Sequence, residues 1–161
     1  MKKHILIIED DPIMRLGMNH FLTSQGYAVS SCTGSDDEAN VIETTRFDLI
    51  ITDLKLPNCN GLEILKKTKA VSTKTGVIII TGYAEIKSAV QAIKEGAFDY
   101  IAKPFSNEEL LIAIDRFFKF QKLEDEVTYL KETLREKIEF ENIIAVSPAM
   151  KDVFDRITSV A

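Results

Sequence analysis

Three features of the chain predict an α/β fold built on a parallel sheet. Apolar, β-branched runs alternate with helix-periodic segments through five rounds, the pattern of successive βα units. The runs at 6–8, 49–51 and 77–80 show no polar alternation, as expected of central strands covered on both faces. Glycines fall near the junctions between segments, where the chain must reverse.

The elements follow in order. The first strand spans 3–8, ending on Ile5, Leu6, Ile7 and Ile8. Asp11 before Pro12 is a good helix start, so a helix is expected over about 12–24, closed before Gly26. A weaker strand at 27–31 suits a sheet edge, and a helix near 35–45 follows it. The strand at 48–52 leads to a helix over 61–71, and the strand at 76–80 to one near 85–95. A short strand at 98–101 suits the other edge. From Ser106 a helical pattern runs well past what a fifth packing helix needs, with Ser106 or Asn107 as its cap and Glu109 in its first turn.

In such sheets the functional site lies outside the carboxyl ends of the strands. Glu9, Asp10 and Asp11 follow the first strand, Asp53 the third, Thr81 the fourth and Lys103 the fifth. Each has a plain structural reading by itself: Asp10 or Asp11 as helix cap, Asp53 as a loop acid bonding nearby N–H groups, Thr81 as a cap, Lys103 as a solvated lysine. Three adjacent carboxylates at a buried strand end are nonetheless unfavourable unless a cation or donor compensates them. Clustered acids suit Mg²⁺, which takes a few carboxylates and keeps waters and phosphate oxygens. Beside that cation Asp53 could act as a carboxylate nucleophile toward phosphorus, with Thr81 and Lys103 meeting the phosphoryl oxygens.

Composition narrows the classes. The 161 residues suffice for one domain plus an extension, and 45% apolar residues can fill a core. A net charge of −5 argues against nucleic-acid or membrane-surface binding by this chain. Met1-Lys2-Lys3 opens no signal-peptide pattern, and no run reaches transmembrane length. Cys32 and Cys59 lack metal-type spacing and read as free thiols of a cytoplasmic protein.

The stretches "ILIIEDDP", "LIITDLKLPNCNGLEIL", "VIIITGYA" and "DYIAKPF" resemble the receiver domain of two-component response regulators, over about residues 3 to 120. The resemblance implies a flavodoxin-like five-stranded sheet of order 2-1-3-4-5, the order for which this family is a standing example. It implies Asp53 as phospho-acceptor, Asp10 and Asp53 as direct ligands of Mg²⁺ (or Mn²⁺), Glu9 reaching it through water, and the Lys55 backbone carbonyl as a further ligand. Thr81 matches the switch hydroxyl, Lys103 the phosphate-pairing lysine and Tyr100 the aromatic that rotates inward on activation. Pro104 matches a position whose preceding peptide is usually cis. Glu9 departs from the more frequent Asp, and "PNCNG" carries Asn60 where Asp is frequent. The expected partner is a sensor histidine kinase, and the expected role is phospho-acceptance without turnover of an external substrate. The alternatives are a phosphorylation-independent scaffold and an aspartyl-phosphate phosphatase. The latter usually needs a general acid where Lys55 stands.

Beyond the domain, Phe120, Leu123, Val127, Leu130 and Leu134 recur at heptad spacing, with Val127 at a and Leu123 and Leu130 at d. Lys119 with Glu124, and Glu126 with Lys131, are opposite in sign across a parallel pair, so a homodimer is expected through this linker and the receiver surface, the alternative being a single helix folded back on its own domain. The end, "FENIIAVSPAMKDVFDRITSVA", resembles the entry to the AAA+ domain of sigma-54-dependent activators, through Asn142-Ile143-Ile144 and Ser147-Pro148-Ala149-Met150, with Ala145 in place of Gly. The expected organisation is a receiver over 1–120, a linker helix over 121–140 and the start of an output domain over 141–161. No phosphate loop of the G-x-x-x-x-G-K-[ST] type and no helix-turn-helix occur in the chain. The AAA+ domain, sigma-54 RNA polymerase and DNA are therefore expected partners of a longer protein.

Overall fold

The computed structural model describes residues 1–35, 38–82 and 86–160. Its elements are β1 (His4–Ile8), α1 (Pro12–Ser24), β2 (Ala28–Cys32), α2 (Glu38–Thr44), β3 (Leu49–Asp53), α3 (Gly61–Val71), β4 (Gly76–Thr81), α4 (Ile86–Lys94), β5 (Asp99–Ala102) and α5 (Asn107–Val160). All strand pairs are parallel, and the sheet order is β2-β1-β3-β4-β5. The chain leaves β1 for β2 on one side and returns for β3 on the other, so β1 and β3 flank the switch point. This is the α/β architecture expected from the sequence.

The unbroken apolar runs are central because both their faces are covered. Every residue of β3 and β4 is buried. Leu6, Ile8, Ile50, Val77 and Ile79 pack on one face with Ile42, Ile64, Leu65 and Ala92 of the helices. The alternate residues point to the other face. There Phe117 of α5 lies so close to Gly76 of β4 that a Cβ on the glycine would meet the ring at 2.4 Å. Each fully buried large aliphatic side chain contributes about 1.5–3 kcal/mol relative to exposure. The edge strands β2 and β5 remain partly exposed.

Several boundaries move by a residue for identifiable reasons. Tyr27 N–H donates to the Leu22 carbonyl at 3.2 Å, so Tyr27 closes α1 through Gly26, which has φ +93°, and β2 begins one residue later. Asp53 and Thr81 stand inside their strands rather than after them, because Leu54 N–H donates to the Ile80 carbonyl and Lys103 N–H to the Thr81 carbonyl. Asp11 is the cap of α1, accepting from the N–H groups of Ile13 and Met14. Ser106 caps α5: its Oγ accepts from Glu109 N–H at 3.1 Å, while Glu109 accepts from Ser106 N–H at 2.7 Å. The expected helix start at Glu85 lies outside the described residues.

The chain divides into two compact units, Met1–Phe117 and Phe118–Ala161. In the first, α5 buries Leu110, Ala113, Ile114 and Phe117. The second is helical through Val160, with Pro148 inside the helix. Its Phe120, Leu123, Val127, Leu130 and Leu134 are all exposed, between 48% and 61%. Among the described residues no helix is long and apolar enough to cross a membrane.

Candidate phospho-acceptor and cation site

Four strand ends meet at the switch point. Register places Ile8 opposite Thr52, Asp53 opposite Ile80, and Thr81 opposite Ala102. The acids that follow β1 therefore stand beside the end of β3, and Lys103 emerges one residue past the end of β5.

Glu9, Asp10 and Asp53 each bring one carboxylate oxygen to within 4.8 Å of the others. Glu9 is 1% exposed and Asp53 8%, whereas Asp10 is exposed and opens the cluster to solvent. Lys103 Nζ lies 2.6 Å from Asp53 Oδ2 and 2.8 Å from Glu9 Oε2, joining both buried acids. The remaining oxygens are also engaged. Lys55 N–H donates to Asp53 Oδ1 at 3.1 Å, and Asp11 N–H to Glu9 Oε1 at 3.2 Å. Burial pushes the Glu9 carboxyl above its ordinary value, outweighing the hydrogen bonds from Lys103 and the Asp11 backbone. Burial alone would lower Lys103, but its hydrogen bonds to Asp53 and Glu9 prevail and hold the ammonium above its usual range.

Three carboxylates against one ammonium leave a surplus of negative charge. That donor set fits a divalent cation: oxygen ligands only, one side open to water, and an acid ready to bridge to a ligand. The Lys55 peptide, bonded to Asp53 through its N–H, and the Lys55↔Asn60 bridge hold the loop after β3 against the same edge. Thr81 is buried at the end of β4. Tyr100 is partly buried on β5 and packs against the core cluster. The Lys103–Pro104 peptide is cis.

Three contacts at the site go beyond what residue order predicts. Asn60 and Glu63 form a capping box at the start of α3, a pattern legible as N-x-x-E. Gly61 packs against the end of β3: a Cβ there would lie 2.5 Å from the Asp53 carbonyl oxygen. Arg15 on α1 donates from Nη1 to the Glu9 carbonyl at 2.7 Å and the Asp10 carbonyl at 3.3 Å. No motif marks it.

A five-stranded parallel sheet with a lysine-bridged acid cluster at its switch point describes a signalling domain of the chemotaxis-receiver kind. Residues 5–115 match the response regulator receiver domain, and the chain belongs to that family. It is 29% identical over 157 residues to the regulatory protein AtoC of Escherichia coli K12, covering 98% of this chain and 34% of that protein. The chain thus spans about a third of that curated relative. Among solved structures, a CheY-like receiver domain protein from Methanospirillum hungatei JF-1 superposes with a TM-score of 0.74 at 31% identity, over 77% of this chain and 99% of that one. A response regulator from Burkholderia pseudomallei, solved with a phosphorylated aspartic acid, calcium ion and citrate, superposes with a TM-score of 0.67 at 31% identity, over 76% and 73%.

Proposed function

We propose that the chain is the phospho-accepting regulatory end of a sigma-54-dependent transcriptional activator, with Asp53 as the acceptor for a phosphoryl group from a partner histidine kinase. The observation that carries this reading is the Lys103 ammonium seated between Asp53 and Glu9, at a strand end shared with Asp10. An Asp53 oxygen attacks phosphorus, the phosphorus–nitrogen bond to the donor imidazole breaks, and the imidazole leaves with a proton. The product stays on the chain, which is why the domain acts as a switch rather than a turnover enzyme. Glu9, Asp10, Asp53 and the Lys55 carbonyl would hold Mg²⁺ or Mn²⁺, whose charge offsets that of the phosphoryl oxygens. Lys103 and Thr81 then contact those oxygens, and Tyr100 follows Thr81. The exposed row Leu123, Val127, Leu130 and Leu134 supports a homodimer, since a parallel partner helix would bury that heptad stripe. The longer protein would act in the cytoplasm, coupling this switch to an AAA+ domain, sigma-54 RNA polymerase and DNA.

The test is the intact mass of the protein after incubation with acetyl phosphate. One phosphoryl group is expected with Mg²⁺ and none with EDTA. No gain at any Mg²⁺ concentration would sink the reading. Gly61→Ala is expected to slow the same reaction about a hundredfold, because a displacement near 1 Å at a reacting group has that scale. An unchanged rate would show that the acceptor strand absorbs the extra methyl without moving Asp53.

A further inference from the structure

We infer that Arg15 is a positioning residue for the cation site, holding the two acids of the β1–α1 connection in place through their backbone carbonyls. This rests on the reading of Glu9, Asp10 and Asp53 as a divalent-cation site.

The connection from β1 to α1 carries three successive acids, and their mutual repulsion favours splaying. Two of its fixings are internal: Asp11 caps α1, and Asp11 N–H donates to Glu9 Oε1. Neither of these bonds takes up the Glu9 or Asp10 carbonyl oxygen. Arg15 does so, with one guanidinium nitrogen donating to two consecutive carbonyls, Glu9 at 2.7 Å and Asp10 at 3.3 Å. Those two bonds fix the peptide planes from which both side chains project. The anchor is rigid, since Arg15 sits in the first turns of α1, whose Met18 and Leu22 are buried. Charge-assisted bonds to carbonyls are stronger than neutral ones, so the clamp resists the repulsion of the acids it orders. The guanidinium bonds backbone oxygens, which leaves the carboxylates free to face the cation.

The sign of the effect separates this role from a bystander charge. A cation close to a cation site repels the ligand, so deleting Arg15 would tighten metal binding if charge were its only contribution. If it positions the acids, deleting it loosens them and weakens binding, with partners of ligating groups typically costing about 10–100-fold in affinity.

The experiment titrates Mn²⁺ into the whole chain and follows free Mn²⁺ by electron paramagnetic resonance, beside far-UV circular dichroism and thermal melting to confirm the fold. Arg15→Met is expected to bind Mn²⁺ about tenfold more weakly than wild type. Arg15→Lys keeps the charge but carries its nitrogen on a shorter, more flexible stem than the one that brings Nη1 to both carbonyls, and is expected to fall between them. Should Arg15→Met fail to fold, Arg15→Lys decides alone: weaker binding at constant charge supports the clamp, and wild-type binding overturns it. If wild type binds and Arg15→Met binds equally or more tightly, the clamp is overturned while the cation site stands. If wild type itself binds no Mn²⁺, the site reading fails and the clamp falls with it.

Discussion

Asp53→Asn is expected to gain no phosphoryl group from acetyl phosphate at any Mg²⁺ concentration, while keeping the wild-type fold. The amide nitrogen has no lone pair available for attack on phosphorus, so the covalent step is lost rather than slowed. The fold survives because the amide oxygen can still accept from Lys55 N–H, which bonds Asp53 Oδ1 at 3.1 Å, and Lys103 keeps Glu9 at 2.8 Å. Intact-mass spectrometry with circular dichroism reads both halves of the expectation. A phosphoryl group retained by the variant and mapped to Asp10 or Asp11 would transfer the acceptor role to that residue.

Lys103→Met carries the second large effect, on stability. The ammonium is the cationic partner of two acids whose side chains are only 2% and 10% exposed. Removing one partner of a buried pair costs about 3–5 kcal/mol because the other charge is left uncompensated. The lysine side chain is itself 19% exposed, so the lower end is expected, about 3 kcal/mol. Divalent cations should recover much of the loss by replacing the missing charge. The pH dependence follows from Glu9, whose carboxyl burial already holds above 4.5 in the folded protein. A group with a raised folded pKa contributes stability that is full below its unfolded value and fades as pH rises through the folded value. Without Lys103 that carboxyl rises further, so the deficit of the variant is expected to be smaller at an acid pH, where Glu9 is protonated, and larger at a basic pH, where it is charged. Urea denaturation in EDTA at both pH values, then with Mg²⁺, measures this. A deficit independent of both pH and Mg²⁺ would show that Lys103 is not the counter-charge of these acids.

Much of this arrangement is readable from residue order. Continuous runs such as Ile5–Ile8 can be buried only between two layers, and parallel strands fed by helices bring their carboxyl ends to one edge. The convergence of Glu9, Asp53, Thr81 and Lys103 follows from that rule before any coordinate is known. What lies beyond it is contact geometry. Arg15 reaches back to carbonyls five and six residues earlier, and nothing in a helical pattern distinguishes that from an arginine in solvent. Gly61 reads as a junction residue like the others, and its approach to the Asp53 carbonyl exists only once α3 is docked. The one-residue shifts of β2, β3 and β4 arise in the same way, from hydrogen bonds that close turns.

The bond between Lys103 and Glu9 spans 94 positions of the chain. Its two ends are the first and last site residues to leave the ribosome. A nascent chain that has released Asp53 but not β5 holds that carboxylate without its ammonium, and closing so long a loop comes late in assembly. Under the proposed function, phosphoryl acceptance would therefore be coupled to completion of the sheet: a half-made or locally opened domain would lack the paired site, and the chemistry itself would report that the fold is whole.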